Sequence, residues 1–185
     1  MNDTIKKTSI NGLYILERPT FPDERGFFHE VFRLKELEDL GIKFRPVQWG
    51  HSRSLPGVIR AIHSEAWQKI VYPINGQLFV AIADVRPESP TFGKVETFEF
   101  DNTSLNSPHQ ALFLPKGIGN SICVSGSSPV DYVYLVDEYW DNGKARGIAW
   151  DDPDLGIKWP VNNPVISERD RNNPKLRELY PKKFK

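Results

Sequence analysis

Cysteine is nearly absent from this chain. Cys123 is the only one, so no disulfide can form within it. Its stability must rest on noncovalent packing, which suits a reducing compartment. Flanked by Ile122 and Val124, the thiol reads as a small core hydrophobe rather than a nucleophile. An excess of one charge is missing too. Lys plus Arg and Asp plus Glu both total 24, which gives no argument for a nucleic acid or an anionic membrane surface as partner. No apolar run approaches the roughly 20 residues of a bilayer span. The opening stretch, MNDTIKKTSINGLYIL, has no continuous apolar centre and no small-residue cleavage site. The expectation is a cytoplasmic protein without membrane or nucleic-acid partners. Internal repeats and low-complexity linkers are lacking. Helical periodicity is scarce as well, and only Leu34 to Leu40 carries it.

What fills the chain is short β-type segments between turn residues. Thirteen glycines and fifteen prolines are spread throughout. Candidate strands are Leu13 to Glu17, Phe27 to Arg33, Arg45 to Ser52, Val58 to His63, Ile70 to Ile74, Gln77 to Asp84, Val95 to Phe100, Gln110 to Leu114, Asn120 to Val124 and Asp131 to Val136. Asn75-Gly76 between two such runs predicts a hairpin. Gln77 to Asp84 is almost continuously apolar, so both of its faces should be buried. Many short strands predict a sandwich or barrel rather than a parallel sheet. The length fits one domain over residues 1–185. From Asp152 onward proline and charge dominate, which predicts a loosely packed arm that docks in part through Trp159, Val165 and Ile166.

The stretch Gly57 to Gly76, GVIRAIHSEAWQKIVYPING, resembles the first motif of a cupin barrel. Of the usual metal-ligand positions only His63 keeps an imidazole. The others hold Glu65, Lys69 and, in the second motif (Pro115 to Asn120), Asn120. A lysine ammonium has no lone pair to donate, and this set is a poor trap for a transition metal. No metal and no cofactor are therefore expected. The same groups suit proton chemistry beside a carbonyl.

Further segments extend the resemblance: DERGFFHEVF (Asp23 to Phe32), GVIRAIH (Gly57 to His63), the run Lys69 to Lys94, LPKGIGN (Leu114 to Asn120), YVYLVDEYW (Tyr132 to Trp140), WDDPDLGIKWP (Trp150 to Pro160) and ISERD (Ile166 to Asp170). In this order, from about Gly12 to Pro174, the chain resembles the dTDP-4-dehydrorhamnose 3,5-epimerase family. That resemblance implies an all-β, cupin-type jelly roll with short peripheral helices and a C-terminal arm. It implies an isomerase that inverts C3 and C5 of a nucleotide-linked 4-keto-6-deoxyhexose through an enolate.

Such a reaction needs a base, a donor for the developing oxyanion and an acid on the opposite face. The resemblance implies His63 as base, Asp170 as the carboxylate that orients it, Tyr134 as acid and Lys69 as enolate stabiliser. Asp84 would orient the lysine or merely end a strand. Arg25, Phe28, Glu30, Gln48 and Arg60 are implied to hold the nucleotide, with Arg25 to Glu30 reaching a neighbouring subunit's site. A homodimer is thereby implied. Glu65, Asn120 and Tyr139 complete the expected substrate-binding set. The plainer alternative is that His63 is a satisfied barrel histidine and that Tyr132 and Tyr134 simply fill the interior.

Three departures keep other outcomes open. Asn120 replaces a frequent His, Ala61 replaces a Gly, and Gln48-Trp49-Gly50 replaces a Gln-x-Asn segment that reads the base. Inversion at one centre, a GDP- or other NDP-linked substrate, and a non-catalytic sugar-nucleotide-binding cupin all fit these changes.

Overall fold

The computed structural model describes residues 4–103 and 109–184. The residues at both ends of the expected domain lie outside that set. Two antiparallel sheets face one another. The first has six strands in the order β1 (Ile5–Lys7), β2 (Tyr14–Glu17), β10 (Gln110–Leu114), β7 (Lys69–Pro73), β12 (Val130–Val136), β5 (Gln48–Ser54). The second has five, in the order β13 (Ala145–Gly147), β6 (Ile59–Glu65), β11 (Gly119–Val124), β8 (Gln77–Ala83), β9 (Val95–Asp101). A separate hairpin joins β3 (Thr20–Asp23) to β4 (Gly26–His29). Among the described residues there are three short α-helices, α1 (Leu34–Asp39), α2 (Glu168–Arg171) and α3 (Leu176–Leu179), and two single-turn 3-10 helices, Asn142–Lys144 and Pro181–Lys183. This is the all-β jelly roll with short helices that the sequence predicts.

The core follows from side-chain alternation along the strands. Leu78, Val80 and Ile82 of β8 point between the sheets and meet Val71, Leu112, Leu114 and Val130. Phe79, Ala81 and Ala83 point outward, yet they too are buried. Ile148, just before the C-terminal arm, and Leu155, Ile166 and Leu176 within it cover them. On the far side of the first sheet, Leu37 of α1 and Phe44 cover Ile70, Phe113 and Val133. Both outer faces are therefore shielded, and β8 is buried on both sides as its apolar run predicts.

Several expectations change. The arm is docked, not loose, because it covers an apolar sheet face that would otherwise meet water. Trp159 stacks edge-on against Phe79, and Asp170 is only 3% exposed. Val165 does not dock through its side chain, which is 60% exposed. Its backbone bridges to Val58 instead. Asn75-Gly76 is a turn but not a hairpin. Gly76 has φ +75°, yet β7 pairs with β10 and β12 while β8 pairs with β11 and β9, so the chain crosses from one sheet to the other there. The Asn75 side chain anchors this crossing on Asp131, accepting from its backbone N–H at 2.8 Å and donating to its carboxylate at 3.0 Å. The segment Phe27 to Arg33 stays extended only to His29. The strands β1, β3 and β13 are not evident from the sequence, being too short for alternation to register.

Candidate active site

One end of the space between the sheets opens into a cavity of about 200 Å³. Alternation along three strands of the first sheet supplies one wall: Gln48 and Ser52 from β5, Lys69 and Val71 from β7, Tyr132, Tyr134 and Val136 from β12. The second sheet supplies His63 and Glu65 from β6 and Asn120 and Ile122 from β11. Arg60 also lines the cavity, although strict alternation would turn it away from His63. A bulge resolves this. Asn120 pairs with His63 and Ile122 with Arg60, so two residues of β6, Ala61 and Ile62, oppose the single Ser121. The extra residue brings Arg60 and His63 to the same face.

The bulge also shapes the surroundings of His63. His63 Nε2 lies 2.8 Å from Asp170 Oδ1, and the buried backbone N–H of Ala61 donates to Asp170 Oδ2 at 3.4 Å. Asp170 stands in α2, whose N-cap Ser167 accepts from the Asp170 N–H at 3.1 Å. Burial alone would raise the Asp170 carboxyl. The hydrogen bond and charge of His63, with the donors of Ala61 and Ser167, outweigh that and hold it below the ordinary carboxylate value. A carboxylate here orients the imidazole, leaves its second nitrogen free to accept a proton, and stabilises the imidazolium that results.

Lys69 is buried and ion-paired with Glu65. It brings a fixed positive charge to the cavity wall, suited to a developing oxyanion. Asn120 Oδ1 and the Tyr132 hydroxyl are buried there with no hydrogen-bond partner among the described residues. Burial drives the Tyr132 phenol strongly upward, so it stays protonated. Among the described residues no three His, Cys, Asp or Glu side chains are grouped to hold a metal ion.

The cavity therefore brings together His63, Lys69, Tyr134, Gln48, Arg60, Glu65 and Asn120, with Asp170 directly behind His63. It does not bring in Tyr139, which is 73% exposed and lines a neighbouring surface hollow instead. Its neighbour Trp140 faces the cavity, with its backbone N–H donating to Gln48 Oε1 at 3.0 Å. Arg25, Phe28 and Glu30 also lie outside the cavity. Arg25 pairs with Asp23 at the tip of the β3–β4 hairpin, Phe28 is 64% exposed, and Glu30 pairs with Arg18 and Arg33. Asp84 does not touch Lys69. It binds Arg86, Ser89 and Thr91, and so organises the turn after β8.

Among the lining residues that the sequence reading did not place in the site are Ser52, Trp67, Tyr132, Trp140 and Arg169. Ser52 was signalled by its alternation with Gln48. Trp140 and Arg169 sit next to expected site residues, but nothing local says which neighbour turns inward.

The dTDP-4-dehydrorhamnose 3,5-epimerase family profile matches residues 7–178. A dTDP-4-dehydrorhamnose 3,5-epimerase of Shigella flexneri is 38% identical over 175 residues, covering 92% of this chain and 94% of that protein. The structure of dTDP-6-deoxy-D-glucose-3,5-epimerase from Legionella pneumophila Philadelphia 1, in complex with dTDP-4-keto-L-rhamnose, is similar with a TM-score of 0.86 and 32% identity, over 96% of this chain and 95% of that one. A 3'-monoepimerase from Streptomyces bikiniensis, in complex with dTDP-quinovose, is similar with a TM-score of 0.85 and 30% identity, over 94% of this chain and 89% of that one.

Proposed function

Because this chain belongs to the dTDP-4-dehydrorhamnose 3,5-epimerase family, a family of isomerases, we propose that it inverts both carbons flanking the ketone of a nucleotide-linked 4-keto-6-deoxyhexose. The substrate we favour is dTDP-4-dehydro-6-deoxy-D-glucose, with dTDP-4-dehydro-L-rhamnose as product. The observation that carries this reading is the 2.8 Å contact of His63 with Asp170, in a cavity also lined by Lys69 and Tyr134.

His63 takes the proton beside the C4 carbonyl. The C–H electron pair becomes the enolate double bond and the carbonyl oxygen takes up the charge. Lys69 stabilises that charge as a buried point cation. Tyr134 returns a proton from the opposite face, which inverts the carbon. Solvent then takes the proton from His63 and another restores the Tyr134 phenol, and the same cycle at the second flanking carbon completes the reaction. Arg60, with Arg169 at the same cavity, suits the diphosphate, since guanidinium groups bind phosphate in bidentate fashion.

A second reading, inversion at C3 alone, is favoured by the likeness to the Streptomyces bikiniensis 3'-monoepimerase. We also propose a cytoplasmic homodimer in which Arg25, Phe28 and Glu30 complete the partner's nucleotide site. The exposed aromatic side chains of Phe21 and Phe28 on one hairpin support it.

The test is proton NMR in D₂O with the dTDP-linked 4-keto sugar generated in situ. The expected outcome is loss of the C3 and C5 proton signals together with inversion at both carbons. His63→Ala should slow this by about 10²–10⁴-fold, the usual worth of a general base. Exchange at C3 alone would select the mono-epimerase. No exchange with TDP-, GDP-, UDP- or CDP-linked sugars would overturn the reading.

A further inference from the structure

The proton cycle leaves two buried polar atoms of the cavity without a partner, the Tyr132 hydroxyl and Asn120 Oδ1. Tyr132 stands on β12 of the first sheet and Asn120 on β11 of the second, so the two meet across the cavity. The Tyr132 ring is 4% exposed and belongs to the core between the sheets. Tyr134 follows two residues later on the same face of β12. Asn120 stands directly opposite His63 in the β11–β6 ladder. The pair is thus adjacent to both the base and the acid.

The Asn120 amide lies beside the phenol oxygen. An amide nitrogen only donates, so it cannot take the phenol proton. What is left over is one donor, the Tyr132 O–H, and one acceptor, Asn120 Oδ1. Buried groups of this kind are costly to leave unpaired. Of the groups on a 4-keto-6-deoxyhexose, the ketone oxygen only accepts and the methyl does neither. A hydroxyl does both: it accepts from Tyr132 and donates to Asn120. A sugar linked through C1 offers hydroxyls at C2 and C3 alone. On the proposed reading C3 turns planar and then inverts, so its hydroxyl moves. Two side chains buried on opposite sheets cannot follow it. C2 keeps its configuration in substrate, enolate and product.

We propose that Tyr132 and Asn120 are specificity-determining residues that together hold the C2 hydroxyl of the sugar, so that the enzyme rejects 2-deoxy sugars. This rests on the epimerase reading of the site. Held at C2, the ring cannot rotate while His63 and Tyr134 act on opposite faces of the neighbouring carbon.

The experiment measures solvent exchange beside the ketone in D₂O for three dTDP-linked 4-keto sugars: the 6-deoxyhexose, its 2,6-dideoxy analogue and its 3,6-dideoxy analogue. In wild type, kcat/KM for the 2,6-dideoxy sugar should be about 10²-fold below that for the parent sugar, because both buried groups are then stranded. Tyr132→Phe should lower kcat/KM for the parent sugar about threefold to tenfold and leave the 2,6-dideoxy sugar unchanged or faster. The discrimination narrows by the same factor. Asn120→Ala removes the acceptor from the other sheet and should narrow it likewise, which keeps the test valid if Tyr132→Phe folds poorly. Discrimination against the 3,6-dideoxy sugar should not move in either variant. Equal losses for the parent and the 2,6-dideoxy sugar in both variants would overturn the proposal. So would narrowing confined to the 3,6-dideoxy sugar, which would assign the pair to the C3 hydroxyl. No exchange with any sugar in wild type would defeat the epimerase reading instead. Calorimetric titration of the same sugars, read as ratios of affinity, would then still decide whether the pair reads C2.

Discussion

The proton held between His63 and Asp170 decides how the site responds to substitution and pH. Asp170→Asn keeps a hydrogen-bonding side chain but removes the charge that steadies an imidazolium. Turnover should fall about 10²-fold or more, read in the same solvent-exchange assay. The sign of the pH effect follows from the depressed carboxyl. Its stabilising contribution is complete above the ordinary carboxylate value of 3.8 and is lost as pH falls through the lower folded value. Acid melts of the wild type should therefore be steeper below that point than those of Asp170→Asn. Tyr132→Phe separates binding from folding. Its hydroxyl lies beside the Asn120 amide, and among the described residues Asn120 Oδ1 has no partner; both residues line the cavity, so a substrate hydroxyl is their natural complement. Removing the phenol oxygen should weaken substrate binding by about threefold to tenfold, seen as a raised KM. The melting temperature should change little, because the phenol oxygen has at most the Asn120 amide to lose. Cys123, its thiol pushed up to about 11 by burial, stays inert to thiol reagents until the protein unfolds. At this scale the sequence was readable where chemistry is unusual: a lone His, a buried Lys and a carboxylate in a recognisable tail. It misled on Tyr139, because adjacent aromatic residues of a loop carry no periodicity to say which one turns inward.

Elements, rather than single groups, govern how the β3–β4 hairpin is tied down. His29 Nε2 meets the Tyr72 hydroxyl at 2.8 Å, and the same hydroxyl meets His109 Nδ1 at 3.1 Å. Phe27 stacks beside both rings. Burial, aided by mutual repulsion with His109 and by the Arg18 charge, lowers His29, and burial lowers His109. Both histidines are thus held neutral in the fold. Their contribution is complete above the ordinary value of 6.5 and is lost as pH falls below it through their lower folded values. Hydrogen exchange of the β3–β4 amides should accelerate on acidification below that value, and His29→Gln should blunt the response. The C-terminal arm makes a second element-scale case. Leu176 is fully buried against the outer face of the second sheet, so Leu176→Ala should cost about 2–5 kcal/mol in denaturant melts. Composition suggested a loose arm, because prolines and charges dominate its sequence. A handful of apolar side chains at irregular spacing does the docking, and irregular spacing leaves no periodic trace. Strands of five residues or more were legible through alternation or, as in β8, through an unbroken apolar run. The crossing at Asn75-Gly76 was not, since a turn sequence states how the chain bends and not which strand it will pair with.

At the scale of the molecule, the architecture was the most legible feature, because many short strands between glycines and prolines leave few ways to bury two faces of a sheet. The proposed homodimer comes from resemblance alone. Sedimentation should give a mass twice that of the chain, and adding charge with Phe28→Glu should return it to a monomer with the barrel intact. One further property follows from where His63 and its orienting carboxylate lie along the chain. They are separated by 107 residues, in β6 and in the arm. During synthesis at about 5–20 residues per second, roughly 5–20 s pass between their emergence. Through that interval the barrel strands can pair, but the base has no partner to orient it. A chain that stops before the arm leaves the outer face of the second sheet bare and makes no dyad. On the proposed reading, activity thus reports that synthesis has passed Asp170 and that the arm has docked.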